Sequence, residues 1–154
     1  MLVLTIALAA LAAAGWAQVG PSRAQQAQSW LEYGVKQAQQ GDHQSAVEAL
    51  RRAIEIDPAL QPAYYNLGLA LYQADKPAQA VHYFQEALKL APSDLQAQRG
   101  LALAYLAQGK HSSAAEVFQG LLRTTPDDPL VSFQLGQCHL RLNKPREALA
   151  PLRK

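Results

Sequence analysis

A 34-residue period runs through this chain. Pro58, Pro92 and Pro126 stand one period apart, as do Gly34, Gly68, Ala102 and Gly136, and again Ala46, Ala80, Ala114 and Ala148. A fixed period of this length means that each unit is one supersecondary element, able to bury its apolar face only against its neighbours. Counting each unit from Ala27, Gln61, Leu95 and Pro129, the repeats occupy 27–60, 61–94, 95–128 and 129–154, the last cut short.

Within a unit, small and large residues alternate in a way that serves helix packing. Position eight is Gly34, Gly68, Ala102 and Gly136, and position twenty-seven is Ala53, Ala87 and then Leu121. Large apolar residues sit among them: Tyr33, Leu67, Leu101 and Leu135 at position seven, and Leu50, Phe84, Phe118 and Leu152 at position twenty-four. Large beside small is how two packed helices interdigitate. Position fifteen is Gly41, Asp75, Gly109 and Asn143, residue types that tolerate a left-handed conformation and so can end a first helix. Two residues later come His43, Pro77, His111 and Pro145, where proline suits the first turn of a second helix. The proline at position thirty-two stops that helix. No useful stretch alternates with period two, so no strand is expected.

These residues resemble the tetratricopeptide repeat. The match is carried by Tyr64-x2-Leu67-Gly68-x2-Leu71, Ala80-x3-Phe84 and Pro92, with Trp30-x2-Tyr33-Gly34, Ala46-x3-Leu50 and Pro58 before it and Leu101-Ala102-x2-Tyr105, Ala114-x3-Phe118 and Pro126 after it. The resemblance covers 27 to 154 and implies an all-α, right-handed α-solenoid of stacked antiparallel helix pairs that binds protein or peptide. Leu121 departs from it, standing where the family prefers a small residue, which leaves the helix spacing around the third repeat open.

In such arrays the first helices line the concave side. Positions five, nine and twelve share one helix face. They are Leu31, Val35 and Ala38, then Tyr65, Leu69 and Tyr72, then Arg99, Leu103 and Leu106, then Phe133, Gln137 and Leu140. That stripe is more apolar and aromatic than a solvated surface requires, which marks an interaction face with Tyr65, Tyr72 and Phe133 as anchors. The competing reading is that these side chains pack between helices and leave no open groove. Some family members clamp a chaperone's carboxylate tail with Lys, Asn and Arg side chains. Only Asn66 matches that set, while Leu31, Val35, Gln96 and Gly100 stand where donors belong and Arg99 is one residue out of place. An apolar peptide or helix is therefore the expected occupant.

The first 17 residues, MLVLTIALAALAAAGWA, carry no charged side chain. They read first as a secretory signal peptide with cleavage frames at Ala12-x-Ala14 or Gly15-x-Ala17, with an uncleaved membrane anchor or a packed capping helix as alternatives. No cysteine lies there, which excludes a lipoprotein anchor, and 18–26 reads as a linker. The first two readings place the repeats in a periplasm, outside the cell or on a membrane, in preference to the cytoplasm.

Other chemistry finds little support. The net charge of +2 is too small to argue for nucleic acid, although Arg141, Lys144, Arg146, Arg153 and Lys154 make the end locally basic. His43 and His111 read as exposed first-turn residues, and no two histidines have ligand spacing on one helix face. Cys138 reads as a small buried residue, equivalent to Ala70 and Ala104. Phosphate-loop, dinucleotide-binding and nucleophile-elbow motifs are absent. No cofactor, metal or small-molecule substrate is expected. Arg51 with Glu55 and Glu86 with Lys89 read as surface ion pairs. Leu149 and Leu152 would face a neighbour beyond Lys154, so the chain reads as part of a longer one or as a subunit covered by another. A non-catalytic scaffold is the first reading of function. The repeat portion of a larger enzyme, such as a glycosyltransferase, is the second, and the sequence following Lys154 would separate the two.

Overall fold

The computed structural model describes residues 20–149, and among them it is all helix. Eight helices follow one another: α1 (Arg23–Gln39), α2 (His43–Ile56), α3 (Gln61–Gln73), α4 (Pro77–Leu90), α5 (Leu95–Ala107), α6 (His111–Thr124), α7 (Pro129–Arg141) and α8 (Pro145–Leu149). They pair as α1/α2, α3/α4, α5/α6 and α7/α8, and each second helix packs on the first helix of the next pair, giving a right-handed solenoid. The signal-peptide or anchor segment at 1–17, Leu152 and the side chain of Leu149 lie outside what is described.

Local chemistry sets the helix ends. Asp42, Asp94 and Asp128 accept backbone N–H groups at the starts of α2, α5 and α7, and Pro77, Pro129 and Pro145 occupy the first positions of α4, α7 and α8. Ser22 and Gln25 form a reciprocal capping box, so α1 already begins at Arg23, within the segment expected as linker. The turns inside each pair place Gly41, Asp75, Gly109 and Asn143 at φ of 83°, 56°, 70° and 58°, the left-handed geometry expected at position fifteen. The helices then stop at Asp57, Ala91 and Thr125, each immediately before the periodic proline.

Packing follows the large-beside-small pattern. A Cβ on Gly34 would lie 2.7 Å from Leu50 Cγ, and one on Gly68 would lie 2.8 Å from Phe84 Cδ1. Phe84 is fully buried, and its ring is also approached from the next repeat, where a Cβ on Gly100 would sit 2.5 Å from Cε1. Leu67, Leu101 and Leu135 are buried at position seven. Tyr33, at the same position, is exposed and stands edge-on to Trp30 at 6.1 Å, because no second helix precedes α1 among the described residues. Cys138 fills position ten as Ala70 and Ala104 do, and burial pushes its thiol pKa up.

Two surface details differ from expectation. Glu55 pairs with Arg52 at 3.0 Å instead of Arg51, one of two neighbouring arginines that can reach it within a turn. His43 and His111 are half-buried, with Nδ1 enclosed and unpaired, because the first residue after each turn is tucked against the helix pair it joins. Lys89 and Glu86 pair at 2.6 Å as expected.

Candidate peptide-binding groove

The first helices form the inner wall of the stack. α1 touches α3 and α3 touches α5, whereas no second helix touches another second helix among the described residues. Helices that lie closer together occupy the inside of a curve, so positions five, nine and twelve of the first helices look into the concave side.

The stripe is not uniformly open. Leu31 is only 6% exposed and belongs to the core cluster, covered where α3 packs against α1, so it is no part of an accessible surface. Val35, Leu69, Leu103 and Leu106 are half-buried. Tyr65 is half-buried with its ring 6.1 Å from that of Phe84, and burial pushes its phenol pKa up, with the Asp94 carboxylate adding to the shift. Tyr72 and Phe133 are 36% and 52% exposed, and Gln137 is open to solvent. Asn66 donates its side-chain N–H to the Pro62 carbonyl oxygen at 2.8 Å, one turn back on its own helix. That occupies the single side chain in register with a carboxylate clamp.

Arg99 is also engaged. Its guanidinium pairs with the Asp128 carboxylate, which at the same time caps α7 by accepting the Leu130 and Val131 N–H groups. The Asp128 pKa is held below the ordinary aspartate value, first by the Val131 N–H, with partial burial opposing and the Arg99 charge adding. A depressed folded-state pKa contributes stability that is present above the unfolded value and lost as pH falls through the folded one. An NMR acid titration is therefore expected to show Asp128 protonating below the ordinary aspartate midpoint and shifting upward in Arg99→Ala. An unmoved midpoint would mean that the ion pair does not form in solution.

The seam between the third and fourth repeats differs from the other two. Where the earlier seams carry Ala53 with Ala63 and Ala87 with Ala97, this one carries Leu121 with Val131, all of them buried. Where Gly100 admits Phe84, Gln134 stands opposite Phe118. With these larger side chains at the seam, no Cα of α5 comes within 8 Å of one of α7, as some do between α1 and α3 and between α3 and α5. Two cavities open along this gap. One of about 160 Å³ is lined by Arg99, Leu103, Phe118, Leu130, Val131 and Gln134, and one of about 400 Å³ by Leu106, His111, Gln137, Leu140 and Arg141.

The groove residues expected from the sequence thus fall mainly into two groups. Tyr65, Asn66, Leu69 and Tyr72 share α3 and Arg99, Leu103, Leu106 and Gln137 flank the open seam, while Val35 on α1 and Phe133 on α7 belong to neither group. His111, Leu130, Val131, Gln134 and Arg141 were not foreseen as site residues. Val131 had a readable signal, since position three is alanine in the two preceding repeats.

An array of helix pairs with an apolar inner wall is a repeat protein of the solenoid class. The chain belongs to the tetratricopeptide repeat family: two family models match, described as tetratricopeptide repeat over 65–129 and TPR repeat over 37–75. No characterised protein sequence matches significantly. Solved structures share the fold. MamA from Desulfovibrio magneticus is 22% identical, with a TM-score of 0.77 over 82% of this chain and 71% of its own. The first TPR domain of Spaghetti (RPAP3), solved bound to an HSP90 peptide, is 22% identical, with a TM-score of 0.74 over 78% of this chain and 95% of its own. PilF of Pseudomonas aeruginosa is 22% identical, with a TM-score of 0.71 over 84% of this chain and 59% of its own.

Proposed function

We propose that this chain is a non-catalytic interaction scaffold that holds a protein segment of apolar character, a peptide or a helix, in the concave groove of its repeats. The observation that carries this reading is the set of aromatic side chains left partly open on the inner wall, Tyr65 and Tyr72 on α3 and Phe133 on α7. A polar groove would have sufficed for solubility, and aromatic residues dominate interface energies. RPAP3 domains of the same fold have been solved with HSP90 and HSP70 peptides, which supports peptide capture as the use of such a wall. The engaged Asn66 and Arg99 argue against the carboxylate-tail mode for this chain.

The double substitution Tyr65→Ala, Tyr72→Ala is expected to weaken capture of the partner by 2 kcal/mol or more, roughly 30-fold, while helicity stays at the wild-type level. Unchanged capture measured by calorimetry would reject the groove. We also propose that the chain works after export or at a membrane, on the strength of the uncharged run at 1–17. Among the described residues no helix is long and apolar enough to cross a membrane. Sequencing the amino terminus of the mature protein, together with fractionation of cells, tests this; a soluble cytoplasmic chain that retains Met1 would defeat it.

A further inference from the structure

We propose that the open seam between α5 and α7 is a specificity subsite for a peptide carrying an acidic side chain next to an apolar one. This rests on the groove reading above and names the chemistry of its occupant. The seam is built differently from its two predecessors: Leu121, Val131 and Gln134 replace residues that are alanine or glycine at the preceding seam, and α5 and α7 stand apart. The larger cavity, about 400 Å³, has an apolar half and a cationic half. Leu106 and Leu140 line the first, and Leu140 is 61% exposed, a large apolar surface for an isolated leucine.

Arg141, His111 and Gln137 form the second half, and among the described residues no carboxylate lines the cavity. Among the described residues Arg141 makes no ion pair, in contrast to Arg99 at the other end of the seam, which is neutralised by Asp128. A guanidinium beside an amide complements a carboxylate, and charge-assisted hydrogen bonds to arginine are the stronger kind. The leucines on either side then accept the neighbouring apolar side chain. The subsite therefore reads an Asp or Glu two residues from Leu, Ile or Phe in an extended peptide, or three to four residues away in a helical one, the spacings that put two side chains on one face.

The test is to pan a displayed library of random peptides, blocked at both ends, against the whole chain. The best binders are then measured by fluorescence anisotropy and mapped by amide chemical shifts. Enriched peptides are expected to pair an acidic with an apolar residue. Their dissociation constants should rise about tenfold or more in Arg141→Glu, and similarly when the peptide's Glu becomes Gln, with shifts centred on Leu106, His111 and Leu140. Leu140→Ser should weaken the same peptides, and both variants should melt as wild type does because both side chains are exposed. Binders indifferent to Arg141→Glu, or shifts confined to α3, would overturn the subsite and leave the groove standing. Loss of phosphatidylserine-vesicle binding in Arg141→Glu, with no peptide effect, would overturn it in favour of a lipid surface. A library yielding no binder at all would overturn both readings.

Discussion

Phe84→Ala is expected to cost about 3–5 kcal/mol of stability, the range for removing a buried aromatic ring. The upper part of that range is the better guide here. Phe84 is fully buried, and its ring lies against Gly68 of its own repeat and Gly100 of the next. Neither glycine has a side chain that could move into the vacated space, so the cavity would persist. The ring also joins two repeats, so the loss should weaken the coupling between them and broaden the unfolding transition. Urea denaturation followed by far-UV circular dichroism measures both effects. Phe133→Ala serves as the control: that ring is half-exposed, and a surface substitution usually changes stability by no more than about 0.5 kcal/mol. If the two variants unfolded alike, the register of the repeat would be wrong.

Gly68→Leu is expected to unfold the second repeat by wedging α3 from α4. Even a Cβ would stand 2.8 Å from the Phe84 ring, which is fully buried and whose same Cδ1–Cε1 edge Gly100 also approaches, so the ring has little room to retreat. Overpacking a tight core typically costs about 1–3 kcal/mol, and more when the backbone must part. The expected result is loss of helical signal and a lower, broader melt. Gly120→Ala is the counterpart. Nothing lies within 4 Å of a Cβ there, so the substitution should stabilise α6 by roughly 0.5–1 kcal/mol through helix propensity. A Gly68→Leu chain that melted like wild type would refute the close helix contact.

Much of this architecture was legible before any coordinates. Gly41, Asp75, Gly109 and Asn143 announced left-handed turns, Pro77 and Pro145 marked starts of second helices, and Pro58, Pro92 and Pro126 marked where second helices stop. Gly34 with Leu50 and Gly68 with Phe84 were paired by spacing within one repeat. The candidate groove was harder to read. Leu31 shares the helix face of Tyr65 and Tyr72 yet is buried, because burial depends on what packs over the face. Arg99 read as a groove residue until Asp128, at the far end of its own repeat and capping α7, was seen to hold it. The histidines at position seventeen looked exposed, but the turn encloses one nitrogen of each.

The departure at Leu121 shows where the boundary lies. By itself the sequence determined the repeat, its helix ends and the pairing of small with large residues, because these rest on turn chemistry and contacts at short, fixed separations along the chain. Only the tertiary structure decided that the third seam stands open and that Arg141, His111 and Leu106 line one cavity. The width of that gap depends on Leu121 and Phe118 meeting Val131 and Gln134 across two repeats. The volumes of side chains that pack together from different repeats are added in space, and no periodicity along the chain records their sum.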